Sequence, residues 1–368
     1  MRQNDLVDGS LVSANTTDNE TECVIHFPAC FESEVEFIGY MYIDAPLNFL
    51  GIVTNILNLL VLTKPPFMVR VTAFTFLRGM AVADLLACSF IFPIGFCRCF
   101  PPGDISWKGY MQQFYDVYIY LPLANWCGCV STWITVASSL ERFMCVAFVV
   151  KSRQFWTPSR ARLIVFVIFA ASFLLNMPYF FLTEIQDTPP PQYTDWGLTD
   201  GASAYFWCRS VFTKIIPITL VLVLNTLLLK NIWAMNKRHD EMKSKMEQPS
   251  GKDNIEKPKT EKNSARAQMQ MRATLMVVSI SIVFLVCHSL EPFSHSSIFS
   301  ALFGKCNVYG TNHRIFIIYT NAMETVTLAT NFFFYCLFNK QFWSVLKGMC
   351  CCKNFNNQVQ DVTITLDS

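Results

Sequence analysis

The chain is long and unusually apolar. It has 368 residues, of which 52% are hydrophobic and 15% are charged, and its mean hydropathy is +0.32. Soluble domains have about 45–50% apolar and about 25% charged residues, so this composition excludes an ordinary soluble fold. The formal net charge of +2 at pH 7 indicates no particular partner, and no nucleic-acid partner is predicted.

The first 36 residues are polar and acidic and are predicted to form a disordered tail. Asn15 and Asn19 each begin an Asn-X-Thr sequon, which predicts glycosylation if this tail faces the outside of the cell. The tail has no apolar stretch of the signal-peptide type. The first long apolar segment is therefore expected to act as the insertion signal.

Seven apolar runs follow, and each is long enough for the roughly 20 residues that a helix needs to cross a membrane. Residues 37–337 are therefore predicted to form an all-α domain, a seven-transmembrane helix bundle. The predicted helices cover residues 37–63, 72–98, 113–146, 160–182, 209–235, 270–299 and 314–337.

Basic residues concentrate in the loops on one side of these predicted spans. Because Lys and Arg favour the cytoplasmic side, the N-terminus is predicted to be extracellular and the C-terminus cytoplasmic. The loop 237–265 is almost wholly charged or polar, which predicts a disordered cytoplasmic loop. The basic residues that set this orientation are Lys64, Arg70, Lys151, Arg153, Arg160, Arg162 and those of 237–272.

A short amphipathic helix is predicted directly after the seventh span, over residues 338–349. Phe338, Phe342, Leu346 and Met349 recur there at helical spacing, which is typical of a helix lying in the membrane interface. The cytoplasmic tail 350–368 then begins with three adjacent thiols beside the membrane lipid, and these are candidate palmitoylation sites. They are Cys350, Cys351 and Cys352.

Several motifs resemble those of rhodopsin-like (class A) G-protein-coupled receptors. Glu141-Arg142-Phe143 resembles the family's Asp/Glu-Arg-Tyr motif, and Ala81-Val82-Ala83-Asp84 resembles its second-helix pattern. The resemblance implies a plasma-membrane receptor that activates a heterotrimeric G protein and catalyses no reaction. The residues that it implies for coupling and activation are Glu141, Arg142, Pro217, Phe284, Asn331 and Tyr335.

Other positions depart from the family pattern. His288 stands where the sixth helix usually has Trp, Pro292 comes two places late, and Phe332 replaces the seventh-helix Pro. Losing a proline restores one helical hydrogen bond and removes a kink. The hinge geometry of the family therefore does not carry over directly to these two helices. Val117 replaces the usual third-helix Cys. Six cysteines are predicted on or near the outer side without a predicted pairing: Cys23, Cys30, Cys97, Cys99, Cys208 and Cys306.

A buried polar cluster is implied in the middle of the membrane. In such receptors, residues at the positions of Asp84, Ser131 and Asn331, with Asn55 nearby, commonly hold a sodium ion. An oxygen-rich site suits a hard cation. The alternative is a protonated Asp84 that bonds to Asn55 and Asn331, and no other cofactor is predicted.

The partner of Arg142 is expected to be its neighbour Glu141. Some receptors pair this arginine with a glutamate at the inner end of the sixth helix, but this chain has Gln270 there. Without that contact, appreciable ligand-independent signalling is expected.

Two ligand classes are argued against by single residues. A retinal receptor needs a lysine where this chain has Thr325, and an amine receptor needs an aspartate where it has Ala124. The segments 176–181 and 272–278 instead resemble invertebrate FMRFamide-type neuropeptide receptors. The resemblance implies an extracellular peptide ligand.

The expected ligand is an amidated, cationic peptide such as an Arg-Phe-amide. Glu291 and Glu324 lie in otherwise apolar helices, and acids within a membrane are by default candidates for function. Either could bind a guanidinium through a charge-assisted pair. The predicted ligand-binding residues are Glu291, Glu324, Tyr120, Trp126, His288, Phe293 and Tyr319.

Other functions are weighed against a peptide receptor. A chemosensory or orphan receptor for a non-peptide ligand would share the same fold. A transporter is disfavoured because the sequence shows neither inverted repeats nor interrupted half-helices. An enzyme is disfavoured because the histidines are scattered and no nucleophile or phosphate-loop motif is present.

Overall fold

A computed structural model describes residues 34–64, 67, 72–97, 107–186, 191–246, 274–294, 299, 302–304 and 310–350. The sequons at Asn15 and Asn19, the cysteines Cys23, Cys30, Cys99, Cys306, Cys351 and Cys352, and Gln270 lie outside these ranges, as do most of the loop 237–265 and the tail after residue 350. Those predictions stay predictions.

Eight long or amphipathic helices, α1–α8, make up most of the described chain. Three of them join α-helical parts through a π-helical segment, in which the turns are wider. These three are α1 (Glu34–Phe37, π Ile38–Asp44, Ala45–Leu62), α3 (Trp107–Phe114, π Tyr115–Ala124, Asn125–Ala147) and α5 (Asp200–Ser210, π Val211–Ile215, Ile216–Met246).

The remaining helices are more regular. They are α2 (Thr72–Ile91), α4 (Pro158–Asn176, continued by the 3-10 segment Met177–Phe181), α6 (274–288, followed by the turn Glu291–Ser294), α7 (Thr311–Phe338) and α8 (Lys340–Cys350). Short helical turns at Ile94–Cys97 and Val149–Phe155 follow α2 and α3. Two antiparallel strands, β1 (Thr183–Glu184) and β2 (Gln192–Tyr193), lie between α4 and α5.

The helices pack as a bundle with α3 at its centre, in contact with α2, α4 and α5, while α1 packs against α2 and α7. By length and composition, five helical stretches of the described chain could span a membrane: Ile38–Leu62, Thr72–Ile91, Pro158–Phe181, Asp200–Met235 and Thr274–Ser294. The other two long helices, α3 and α7, are richer in polar residues, many of which are buried inside the bundle.

The two ends of the bundle are called the cavity end and the Arg142 end, after a cavity and a residue that lie there. The cavity end is the end at which α1, α3, α5 and α7 begin, and the Arg142 end is the opposite one. All three π-helical segments lie toward the cavity end. Pro122 lies within one of them, and Pro46 and Pro217 each follow two residues after the end of another. Proline clashes with the carbonyl of the preceding turn and donates no hydrogen bond, which is consistent with a wider turn beside each of them.

The altered prolines of α6 and α7 have visible effects. The helix α6 is regular to residue 288, bends at 289–290, and forms one more turn that contains Pro292. In contrast, α7 is a single α-helix through Phe332, as expected for a helix that has lost its internal proline. The bend in α6 therefore lies closer to the cavity end than its sequence motif implies.

The predicted disordered loop 237–265 is wrong in its first part, because α5 continues as a helix to Met246. Residues 237–246 are mostly Lys, Glu, Met and other residues with good helix propensity, and no Gly or Pro occurs before Pro249. Charged composition argues against a buried core. It does not prevent a helix that has already been nucleated within the bundle from continuing into solvent.

The amphipathic helix is found as α8, beginning at Lys340 rather than at residue 338. The Asn339 side-chain oxygen accepts hydrogen bonds from the backbone N–H groups of Gln341 and Phe342, both at 3.1 Å, and so caps the helix start. Phe342 and Leu346 are buried in a cluster with residues of α1, α2 and α7.

Among the cysteines considered for disulfides, Cys208 is a free, exposed thiol in α5. It is therefore unpaired in this structure, contrary to its inclusion among the pairing candidates.

The tight approach of α1 to the turn after α2 gives a stability prediction. A Cβ at Gly95 would lie 2.7 Å from Ala45 Cβ and 2.8 Å from the Tyr40 carbonyl oxygen, so the backbone would have to move. We expect Gly95→Ala to destabilise the protein by about 1–3 kcal/mol, the usual cost of overpacking. Thermal unfolding of the detergent-purified protein measures this effect.

The matched control is Gly201→Ala, because a Cβ there would meet only Thr199 Oγ1, at 3.6 Å. Equal unfolding midpoints for the two variants would contradict the predicted clash.

Candidate functional site

A cavity of about 410 Å³ opens at the cavity end, between α1, α3, α5, α6 and α7. Its volume is within the range of small-ligand pockets. The β1–β2 hairpin contributes Thr183 and Tyr193 to its lining. Five charged residues line it: Asp44 of α1, Arg209 and Lys214 of α5, Glu291 of the turn after α6, and Glu324 of α7.

Glu291 is already engaged within the chain. Its Oε1 forms an ion pair with Lys214 Nζ, and its Oε2 lies 2.6 Å from His288 Nδ1. The imidazole of the buried His288 packs on the Phe284 ring, with centroids 4.4 Å apart. Both carboxylate oxygens of Glu291 thus have partners, and the acid ties α6 to α5.

Glu324 has a different environment. Within the described part of the chain its carboxylate accepts no hydrogen bond, although Lys214, His288 and Arg209 act on it electrostatically. Gly128 of α3 makes room for it, because a Cβ at that position would lie 2.8 Å from Glu324 Oε1. Glu324 is therefore the acid of the cavity that remains open to an added donor.

Arg209 is held by neutral partners. Its Nε–H donates to Asn176 Oδ1 at 3.0 Å and its Nη2–H donates to Asn125 Oδ1 at 2.8 Å. Each asparagine also donates from Nδ2 to the carbonyl four residues earlier, at 2.7 Å, which fixes its oxygen toward the guanidinium. The Tyr179 ring lies beneath Arg209, with 4.6 Å from Cζ to the ring centroid. These contacts join α3, α4 and α5.

Asp44 completes the set of charges. It is the last residue of the π-helical segment of α1, it is buried, and Thr325 Oγ1 donates to its Oδ1 at 3.0 Å. Thr325 stands where a retinal receptor needs a lysine, and here it bonds to an acid of α1.

The structure brings only some of the predicted ligand residues to this cavity. Glu291, Glu324 and Tyr120 line it, and His288 lies directly behind Glu291. Trp126 does not, because its Nε1–H donates to the Phe169 carbonyl at 3.0 Å and its ring faces α4. Phe293 and Tyr319 are 43% and 49% exposed on outer faces.

These three misplacements have one cause. The predicted residues were chosen by their depth along each helix, whereas residues two apart on a helix point to nearly opposite sides. Ala124, Glu291 and Ile317 line the cavity, so the residues two positions further on face away. These are Trp126, Phe293 and Tyr319.

Asp44, Arg209 and Lys214 were missed by the sequence analysis. Each lies in or at the edge of a predicted span, so the rule that singled out Glu291 and Glu324 also applied to them. That rule covers bases as well as acids, and it holds for charges at the ends of the first and fifth spans as it does for the acids of the last two.

The polar cluster in the middle of the bundle centres on Asp84, which is fully buried. Ser131 Oγ donates to Asp84 Oδ1 at 2.5 Å and Asn331 Nδ2 donates to Oδ2 at 2.8 Å. Asn55 does not join them, since its Nδ2 donates to the carbonyls of Gly51 and Leu328, both at 2.9 Å. Carboxylate, hydroxyl and amide oxygens fit a hard cation, which would displace the two donated protons.

The expected pair of Glu141 and Arg142 is present at the opposite end. Arg142 Nε–H and Nη2–H donate to the two Glu141 oxygens at 2.6 and 2.7 Å, and Thr72 Oγ1 of α2 donates to Glu141 Oε1 at 2.6 Å. All three residues are buried. The arginine is thereby held against its own helix.

A smaller polar contact joins α3, α5 and α6 near that end. Ser139 Oγ lies 3.2 Å from Ser281 Oγ and accepts a hydrogen bond from Asn225 Nδ2 at 3.5 Å. Phe284 of α6 packs in a cluster with Val136 and Val221, close to Pro217 in α5.

Tyr335 of α7 is buried and stacks edge-on against Phe342 of α8, with ring centroids 5.6 Å apart. Its hydroxyl has no hydrogen-bond partner among the described residues.

Three relatives of the chain are described as receptors or as related to a receptor. The chain is 28% identical over 203 residues to the probable G-protein coupled receptor B0563.6 of Caenorhabditis elegans, covering 51% of this chain and 45% of that protein. It is 24% identical over 351 residues to sex peptide receptor-related protein 2 of Caenorhabditis elegans, covering 86% and 72%. The FMRFamide receptor of Drosophila melanogaster is 21% identical over 337 residues, covering 86% and 55%.

The alignments thus span only about half the length of the first and third of these relatives. A family model described as "7 transmembrane receptor (rhodopsin family)" matches residues 54–335, which run from α1 to the end of α7 and include the Asp84 cluster and the Glu141–Arg142 pair. This is a family of receptors rather than of enzymes, and its fold is a seven-helix bundle. The chain belongs to the rhodopsin family of seven-transmembrane receptors.

Proposed function

We propose that the chain is a plasma-membrane G-protein-coupled receptor for an extracellular peptide that carries a cationic group, such as an amidated Arg-Phe peptide. The observation that carries this proposal is the Glu324 carboxylate, which lines the cavity without a hydrogen-bond partner in the described chain. A guanidinium from the ligand would form a charge-assisted, bidentate pair with it.

The other acids of the cavity are less available to a ligand. Glu291 is paired with Lys214 and bonded to His288, and Asp44 accepts from Thr325. A ligand cation would have to displace these partners, whereas at Glu324 it would displace no hydrogen bond of the described chain. Two relatives are named for peptides, the sex peptide and FMRFamide, which supports a peptide as the ligand class.

The proposed orientation has the cavity end outside the cell and the Arg142 end in the cytoplasm. Basic residues of the described chain collect toward the Arg142 end, and such residues favour the cytoplasmic side. They include Lys64, Lys151, Arg160, Arg162, Lys237, Lys340 and Lys347. The tail with the predicted glycosylation sites would then lie outside, and the cysteines predicted to be palmitoylated would lie inside.

Activation is proposed to act through a change in helix packing, because ligands select between pre-existing conformations. Separation of α6 from α3 and α5 would open a G-protein site around Glu141 and Arg142. Pro217, Phe284, Asn331 and Tyr335 lie in the packed layers between the cavity and that site.

A receptor for a small non-peptide ligand is the second candidate. The cavity volume of about 410 Å³ favours it, because this volume is near the lower end of the range for drug-sized ligands. A response to small molecules with none to peptides would support this alternative.

The first test is the response of Glu324→Gln to a panel of amidated peptides that includes Arg-Phe-amides. We expect its potency to fall about ten- to a hundred-fold, because one charge-assisted pair is lost. G-protein signalling in transfected cells, with surface expression measured, provides the concentration–response curves.

The matched control is Glu184→Gln, which neutralises an exposed acid of β1 outside the cavity lining. Equal potency losses in both variants would contradict a specific role for Glu324. A peptide response that is unchanged in Glu324→Gln would do so as well.

The contact between Ser139, Ser281 and Asn225 gives a prediction for signalling without ligand. Removing the Ser139 hydroxyl loses a hydrogen bond between α3 and α6 worth about 1 kcal/mol, so Ser139→Ala should raise the ratio of open to closed receptor about fivefold. Basal signalling should rise from a wild-type level that already exceeds that of mock-transfected cells.

Ser138→Ala is the control for this change. It is an identical substitution at the neighbouring buried position, where the hydroxyl has no partner in the described chain. A similar rise in both variants, or none in Ser139→Ala, would refute the proposed restraint on α6.

The sodium ion at Asp84 also remains a proposal with a direct test. Replacing N-methylglucamine chloride with sodium chloride at constant ionic strength should raise the unfolding temperature of the purified wild type, because an ion that binds the folded state stabilises it. Asp84→Asn should abolish this difference, and Asp200→Asn, at an exposed position, should keep it. Equal stability in the two salts would argue against an ion.

A further inference from the structure

We infer that Arg209 forms a binding site for a carboxylate of the ligand, so that the receptor selects a dipolar peptide. The ligand would place a cationic group at Glu324 and an acidic group at Arg209. This inference rests on the proposed function and extends it, because that proposal concerns only the cationic group.

Two charged groups of the cavity form no close ion pair in the described residues. Lys214 and Glu291 neutralise each other, and Asp44 is bonded to Thr325 and buried. Glu324 on α7 and Arg209 on α5 both line the cavity and form no ion pair within the described residues. A ligand that complements the cavity would therefore supply one charge of each sign.

Arg209 keeps donors available for such a group. A guanidinium has five N–H donors, and two of those on Arg209 are used by the asparagine oxygens. The donors on Nη1 and the second on Nη2 have no partner in the described residues, and Arg209 lines the cavity. These donors form the edge of the guanidinium that accepts a carboxylate through two parallel hydrogen bonds.

The partners of Arg209 position it without neutralising it. Asn125 and Asn176 are uncharged, and their oxygens are fixed by hydrogen bonds from their own amide nitrogens. Tyr179 holds the guanidinium by its ring face. The site is thus built before the ligand arrives, which reduces the entropy lost on binding.

Glu324 is not a substitute for a ligand acid at this site. It forms no hydrogen bond with Arg209, and it feels Lys214 and His288 more strongly than Arg209. The two groups both line the cavity without bonding to each other, so a single ligand can bind both.

The competitors of such a ligand are basic peptides without an acidic residue. When one of them fills the cavity, it excludes water from the guanidinium of Arg209 and supplies no anion in return. An unpaired charge that is removed from water is costly, so these peptides should bind more weakly.

The probe for this test is a random library of amidated octapeptides, selected on the detergent-purified, full-length receptor. Peptides retained by the wild type should be enriched in both basic and acidic residues. Peptides retained by Arg209→Gln should lose the acidic enrichment and keep the basic one, whereas Glu324→Gln should show the reverse. Lys230→Gln, which removes an exposed charge from the same helix, should behave as wild type.

A second measurement does not depend on a folded variant. In a peptide selected on the wild type, replacing each Asp or Glu by its amide should weaken binding about ten- to a hundred-fold. Affinities that are unchanged by this replacement would overturn the inference.

The remaining outcomes separate the two proposals. Basic enrichment that depends on Glu324, without acidic enrichment that depends on Arg209, would overturn the carboxylate site and leave the proposed function intact. If no peptides are enriched on the wild type over receptor-free matrix, both proposals fail.

Discussion

The interior of a membrane domain offers no water, so each buried polar group must find its partner within the protein. In this receptor α3 supplies most of those partners, because it lies at the centre of the bundle. From the cavity end to the other end, its side chains bond to α5, α2, α6 and α2 again. The contacts are Asn125 with Arg209, Ser131 with Asp84, Ser139 with Ser281, and Glu141 with Thr72. The relative positions of the helices follow from this series of bonds as much as from apolar packing.

The ion pair between α5 and α6 connects the cavity to that central series. Glu291 contacts His288, His288 packs on Phe284, and Phe284 packs against residues of α3 and α5. A charged ligand that alters the balance among Lys214, Glu291 and Glu324 would therefore act directly on the layer in which α6 is held. No long pathway is needed, because the groups are in contiguous contact.

The sequence predicted the features that depend on the position of a residue along its helix. It missed those that depend on the direction in which a side chain points around the helix axis. Long apolar runs give the seven spans, because the thickness of the hydrocarbon layer fixes their length. The partner of Arg142 was also predictable, since Glu141 is its neighbour. The direction in which a side chain points was not, because apolar residues face both lipid and core, and a π-helical segment rotates everything beyond it. Trp126, Phe293 and Tyr319 were misassigned for this reason, and the role of Asp44 at the end of such a segment was missed.

The length of α5 has a mechanical consequence. From Ile216 to Met246 it has 31 residues, so at about 1.5 Å per residue it is a rod of about 46 Å, longer than the roughly 30 Å hydrocarbon layer. One end of this rod meets the π-helical segment and Lys214 beside the cavity, while the other projects past the Arg142 end. A tilt of about 10° at the cavity would sweep the far end through about 8 Å, given that length. A rigid helix of this length would thus convert a small local adjustment into a displacement comparable to the diameter of a helix.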